Sequence, residues 1–181
     1  DPMAEGVLLV CLGKATKLVD LLTEGNKCYR ATMKLGYETD TEDVTGEKTV
    51  EGDSAVISCL TEETIRKAIL SFVGKYDQIP PMYSAIKHGG KKLYQLAREG
   101  KTVELEPRSV KIHSLEILGR NGNDVTLDII CSKGTYIRSL CNDIGEKLGC
   151  FAHMAALRRT ASGNFTENEA VKLSELNEEN A

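Results

Sequence analysis

Three short stretches hold the side chains best suited to chemistry: Asp1-Pro-Met-Ala-Glu-Gly6, Lys27-Cys-Tyr-Arg30 and Gly134-Thr-Tyr-Ile-Arg-Ser-Leu140. They supply a carboxylate, a phenol and a guanidinium. Arg138 stands out on physics alone. It falls in the first turn of an expected helix, where the macrodipole disfavours a cation by about 0.3–1 kcal/mol. A nearby anion would offset that cost; an exposed arginine that tolerates the position is the plain alternative. Other chemistries find no support. There is no P-loop, nucleophile elbow or dinucleotide fingerprint, and no cysteine–histidine spacing suited to a metal. His88, His113 and His153 are scattered and read as surface or boundary residues.

The elements that must position these residues follow from periodicity. Residues 7–12 (VLLVCL) read as a buried strand ended by Gly13, and 14–23 as a short helix. Residues 27–36 alternate, as a strand with one buried face does, and the acidic stretch after them reads as a loop or hairpin. A helix is expected over 61–73, opened by Thr61 with acids in its first turn. Pro80-Pro81 forbids a helix through 78–86, and a short helix follows at 91–98, ended by Gly100. Residues 107–119 and 123–131 pair across a turn at Gly119–Gly122. A helix at 136–148 buries Ile137, Leu140, Cys141, Ile144 and Leu148 and stops at Gly149. Residues 153–161 form another strand, and 167–179 a short acidic helix or tail. This mixture, without regular β-α-β alternation, predicts an α+β fold with a largely antiparallel sheet.

The 181 residues suffice for one domain with a real core. No apolar run approaches the ~20 residues that span a bilayer. The six cysteines read as free, mostly buried thiols of a cytosolic protein. The net charge of −4 is unevenly spread. Residues 38–53 hold seven acids and one base, residues 167–181 five acids and one base, and the rest carries a net of +6. A locally basic surface can coexist with an acidic total, and local potential is what a phosphate backbone feels.

Taken in order, several stretches resemble the bacterial tRNA pseudouridine-55 synthases, the TruB family. They are the opening Asp1-Pro, Leu12-Gly-Lys-Ala-Thr-Lys17, Lys27-Cys-Tyr-Arg30, Leu35-Gly-Tyr-Glu-Thr-Asp-Thr41, Gln78-Ile-Pro-Pro-Met-Tyr-Ser-Ala-Ile-Lys87, Gly134-Thr-Tyr-Ile-Arg138 and Leu157-Arg-Arg-Thr160. The resemblance runs from residue 1 to about 170. It implies a pseudouridine-synthase fold, with a mixed, mostly antiparallel central sheet flanked by helices. It implies a catalytic domain over 1–166 and an acidic C-terminal segment over 167–181, with no PUA domain. The implied activity is isomerisation of uridine to pseudouridine in the T-loop of tRNA, without metal or organic cofactor. Asp1 matches the family's catalytic aspartate and Arg138 the arginine that pairs with it. Tyr29 matches the tyrosine that packs against the target base. An ordinary strand tyrosine in the core is the plain alternative for Tyr29. Tyr136 and Leu157 are expected as pocket walls, though core packing accounts for both almost as well. RNA contacts are expected from Lys87, Lys91, Lys92 and Arg98, joined by Lys133, Arg158 and Arg159.

The expected partner is the T-arm of tRNA, bound by a cytoplasmic monomer with no membrane and no obligatory protein partner. In the family the catalytic loop reads G-H-x-G-x-L before its D-P, and this chain starts at the D-P. Little or no turnover is therefore expected of the 181 residues alone, and activity of a longer parent. Two competing readings share the scaffold: an RNA-guided synthase of the dyskerin type, and a tRNA-binding folding chaperone.

Overall fold

The computed structural model describes residues 1–177. Its strands are β1 (Glu5–Gly6), β2 (Lys27–Leu35), β3 (Tyr37–Thr39), β4 (Lys48–Glu51), β5 (Gly74–Gln78), β6 (Lys87–His88), β7 (Lys91–Lys92), β8 (Arg108–Asn121), β9 (Asp124–Cys131), β10 (Ala152–Ser162) and β11 (Phe165–Thr166). The α-helices are α1 (Val19–Leu22), α2 (Ser54–Cys59), α3 (Glu62–Leu70), α4 (Leu93–Arg98) and α5 (Ile137–Leu148). The central sheet has the order β1-β10-β2-β9-β8-β5, with β11 also on β10. Every pairing in it is antiparallel except β1 with β10. The α+β expectation with a mixed, mostly antiparallel sheet therefore holds.

The core lies between one face of the sheet and helices α3 and α5. Ala31, Met33 and Leu35 of β2, Val125, Leu127 and Ile129 of β9, and Leu140, Cys141 and Ile144 of α5 belong to one buried cluster. The expected face of α5 is the buried one. Full burial of Leu140 and Ile144 contributes on the order of 1.5–3 kcal/mol each. Gly149 ends α5 in the left-handed conformation at φ +70°. Thr61 caps α3 by accepting the Thr64 N–H at 3.1 Å.

Several expectations need correction. Residues 7–12 do not form a strand: only Glu5 and Gly6 pair, opposite Arg158 and Arg159. Further along that edge of β10, Ala161 and Ser162 are taken by Thr166 and Phe165 of β11. The VLLVCL run is thus turned off the sheet, leaving Leu8 75% and Val10 65% exposed. The expected 14–23 helix is a 3₁₀ turn over Gly13–Leu18 followed by the single-turn α1, and neither buries a residue. The β8–β9 turn sits later than expected, at Gly122-Asn123, because cross-strand pairing continues to Asn121 and Asp124. His153 is fully buried, because the β3–β4 hairpin covers it and Tyr37 packs on its ring at 4.2 Å. All six cysteines are free; Cys131, Cys141 and Cys150 are buried, whereas Cys59 on α2 is exposed. The acidic C-terminal stretch shows 3₁₀ turns at Glu167–Glu169 and Leu173–Glu175, and the part of that expectation beyond 177 lies outside the described residues.

Gly145 decides how closely α5 approaches β10. A Cβ there would strike the Ala152 backbone nitrogen and the Ala152 and Phe151 carbons. Gly145→Ala is expected to destabilise the fold by about 3 kcal/mol, the upper end for overpacking. Urea unfolding of the two proteins checks this.

Candidate active site

The site begins where α5 begins. Tyr136 is the helix N-cap and Arg138 the second helical residue, with its side chain only 6% exposed. A buried cation in a first turn needs compensation from outside the helix. The guanidinium receives it from two carboxylates and two carbonyls. Nη2 lies 2.7 Å from Asp1 Oδ1 and donates to the Tyr83 carbonyl at 2.9 Å. Nη1 donates to the Thr41 carbonyl at 2.9 Å and lies 3.7 Å from Asp43 Oδ2. The planar fork of arginine suits such divided duty; a lysine ammonium could not span it.

Each compensating group is itself held. The Asp1 loop turns back on itself, with the Ala4 N–H on the Asp1 carbonyl at 3.1 Å. Its downstream end is clamped by Arg159. The Arg159 carbonyl accepts the Val7 N–H at 2.8 Å, and Arg159 Nε donates to the Val7 carbonyl at 2.7 Å. Gly6, at φ +95°, lies so close to the Arg159 carbonyl that no Cβ fits. Asp43 is buried in the loop between β3 and β4. Its Oδ1 accepts from Thr41 Oγ1 at 2.8 Å and from the Thr45 N–H at 2.9 Å. That loop is sewn to β10 by Val44 N–H to the Met154 carbonyl and Met154 N–H to the Glu42 carbonyl, both 3.0 Å.

Glu42, in the left-handed region at φ +61°, turns its carboxylate onto α5, where Ser139 Oγ donates to it at 2.6 Å. Burial pushes the Glu42 carboxyl up to about 7. Beside it runs a groove of about 480 Å³ lined by Glu42, Ile79, Pro80, Met82, Val103 and Leu105, among others.

Tyr29 lies opposite Arg159 on β10 and Ile129 on β9 and packs against the core, as does Met3 of the Asp1 loop. Burial pushes its hydroxyl up, so the phenol stays protonated near neutrality. Leu157 is buried two residues earlier on β10, opposite Ala31. Tyr136 is half-buried. The expected RNA-contacting cations fall into separate groups. Lys87, Lys91 and Lys92 form the β6–β7 hairpin, where Lys87 pairs with Lys92 across the Gly89-Gly90 turn. Arg98 on α4 and Lys92 both lie over the Tyr94 ring, at 5.4 and 5.6 Å. Lys91 is paired with Glu99 at 2.9 Å. Burial, with the positive charges of Arg159 and Lys133 nearby, pushes the Lys27 amine down. Arg158, on the other face of β10 from Arg159, is engaged by Glu167 at 2.6 Å and Glu5 at 3.6 Å.

The acidic run hid Asp43 and Glu42: read by charge, residues 38–53 belong to solvent. The interleaved threonines were the available signal for Asp43: Thr41 and Thr45 donate their hydroxyls to its carboxylate, and Thr39 donates to its backbone carbonyl.

Comparison with known proteins matches residues 1–137 to the TruB family pseudouridylate synthase N-terminal domain and 138–181 to the tRNA pseudouridylate synthase B C-terminal domain. The chain belongs to the TruB family. It is 52% identical over 180 residues to tRNA pseudouridine synthase B of Clostridium perfringens, a match that covers 99% of this chain and 60% of the relative. The same-named protein of Alkaliphilus oremlandii is 51% identical over 97% of this chain and 58% of its own length. The chain thus spans about three-fifths of the curated relatives it matches. Among solved structures, one in a Cbf5–Nop10–Gar1 complex superposes with TM-score 0.70 at 34% identity, over 96% of this chain and 42% of that one. The boundary between the two TruB matches falls inside the first turn of α5, between Ile137 and Arg138, although α5 packs in the same core as β2 and β9. No described helix is long and apolar enough to cross a membrane.

Two outcomes follow from the electrostatics. Arg138→Met strands Asp43 in the interior without its cation, and is expected to destabilise the fold by about 3–5 kcal/mol in urea unfolding. Arg138→Lys is expected to fall in between. Glu42 has the opposite sign. Its folded-state pKa is raised, so its contribution is most favourable below pH 4.5 and fades as pH rises towards about 7. Glu42→Gln keeps an acceptor for Ser139. It is expected to stabilise the protein at pH 8 by up to about 3 kcal/mol, with no gain near pH 4. Thermal unfolding across that pH range measures the difference.

Proposed function

We propose that this chain carries the catalytic centre of a tRNA pseudouridine synthase acting on the T-loop uridine. The observation that carries the reading is the 2.7 Å pair between Asp1 and the buried Arg138 guanidinium. The reaction breaks the N1–C1′ glycosidic bond, turns the uracil over and joins C5 to C1′. Atoms are conserved, so the site needs a placed carboxylate and a walled space for a flat ring. Asp1 is the group that does covalent or base work on the nucleoside. Arg138 holds that carboxylate in one rotamer, which matters because small displacements of a reacting group cost large factors in rate. Tyr29, Leu157 and Tyr136 wall the everted base, replacing the stacking it gives up.

The β6–β7 hairpin and α4 present Lys87, Lys91, Lys92 and Arg98 towards solvent, suited to phosphate contact. Such contacts set affinity and salt dependence; the shape of the RNA loop and the pocket set specificity. Arg159 combines a place beside Tyr29 with its grip on the Asp1 loop. The catalytic unit extends over 1–166, works as a cytoplasmic monomer, and takes the T-arm of tRNA as its partner. About 50% identity to synthases named for tRNA, against 34% to the Cbf5 structure, favours direct tRNA recognition over an RNA-guided mode.

The test is pseudouridine mapping on a tRNA transcript, with the 181-residue chain and with a protein extended to the length of its relatives. Turnover is expected from the extended protein and little or none from the shorter chain. Asp1→Asn in the extended protein is expected to lower turnover by on the order of 10³-fold or more while tRNA binding is kept. Undiminished modification by the Asn variant would overturn the reading, and unchanged cellular function without modification would favour an RNA chaperone.

A further inference from the structure

Gln78 is 1% exposed, at the end of β5 and far along the chain from α5. Its carboxamide meets the backbone of Tyr136 on both sides. Oε1 accepts the Tyr136 N–H at 2.8 Å, and Nε2 donates to the Tyr136 carbonyl at 2.9 Å. Nε2 also donates to Tyr76 Oη at 2.7 Å, and that hydroxyl donates to Asp143 of α5 at 2.6 Å. Tyr136 makes no side-chain cap, and Gln78, from another element, takes the Tyr136 N–H as the N3 side chain of a capping box would.

The same residue also begins the segment that reaches the other end of Arg138. From Gln78 the chain runs through Ile79-Pro80-Pro81 to Tyr83, whose carbonyl takes Arg138 Nη2 at 2.9 Å. Two prolines stiffen that strut by fixing φ. The backbone root of Arg138, two residues after Tyr136, is thus held by the Gln78 side chain, and the tip of its guanidinium by the segment that starts at Gln78. The position needs a side chain that both accepts and donates, as a carboxamide does. An ionised carboxylate has no proton for the Tyr136 carbonyl, and a thioether has neither group.

We propose that Gln78 is the positioning residue that sets the placement of the Arg138 guanidinium against Asp1, and hence the rate of the chemical step. This rests on the reading of Asp1 and Arg138 as catalytic partners, so the test has two independent readouts. The first is hydrogen exchange of the Arg138 Nε–H, followed in ¹⁵N-labelled protein and assigned by its loss in Arg138→Lys. The second is kcat and KM for pseudouridine formation in the extended protein.

Gln78→Met is expected to speed Arg138 exchange about tenfold or more and to lower kcat by about 10–100-fold, with KM for tRNA within about twofold. Gln78→Glu is expected to match it at about pH 8. It should recover towards wild type, as a ratio at each pH, by about pH 6, where a protonated buried carboxyl regains a donor. Tyr76→Phe keeps both bonds to Tyr136 and is expected to leave Arg138 exchange within about twofold of wild type. Circular dichroism and unfolding curves correct kcat for the folded fraction. The inference is overturned if folded Gln78→Met shows wild-type Arg138 exchange or kcat, if the Glu variant shows no recovery at low pH, or if kcat loss merely follows the folded fraction. If the extended wild-type protein makes no pseudouridine, the functional reading fails, and the exchange measurement still decides whether Gln78 places Arg138.

Discussion

A positive charge buried at the wrong end of a helix is the constraint from which the site follows. Arg138 lies where the dipole of α5 repels it and where solvent is excluded. Its placement is tolerable only because two carboxylates and two carbonyls converge on it from three parts of the chain. The Asp1 loop, the β3–β4 loop and the 78–83 segment have little in common except that guanidinium. Removing it would leave Asp43 buried and unneutralised, so the fold and the proposed chemistry share one ion.

The sheet contributes by register. Arg159 faces Tyr29 across β10 and β2, while Arg158, one residue away, emerges on the opposite face among Glu5 and Glu167. Two adjacent arginines with the same nominal role in sequence are thus separated by the pleat. Arg159 braces the strand edge on which the Asp1 loop rests, and Arg158 joins a surface ion-pair group of modest energetic worth.

What could be read from the sequence was whatever depends on local periodicity. The alternation of 27–35 and the helical stripe of 137–148 survive in the fold because both elements bury one face against the same core. The unfavourable placement of Arg138 was legible as an electrostatic question before its partners were known. The rest depended on long-range competition. VLLVCL has the composition of a strand, but β11 occupies the edge it would need. Glu42 and Gln78 carry no local mark of burial, and the α5 groups that engage them and Asp43 lie 58 to 97 positions away in places no period reveals. His153 gave no sign of the hairpin that covers it.

The contact between Gly6 and the Arg159 carbonyl leaves no room for a side chain at that position. A residue with no side chain holds the loop that presents Asp1, and any other amino acid would push that loop off the strand. A saturation survey read by the proposed pseudouridine formation would therefore score Gly6 as intolerant as Asp1, although a glycine has no side chain to take part in chemistry. Intolerance to replacement would then mark the hinge-pin of the loop as surely as its proposed reagent, and only stability and binding assays side by side would tell the two apart.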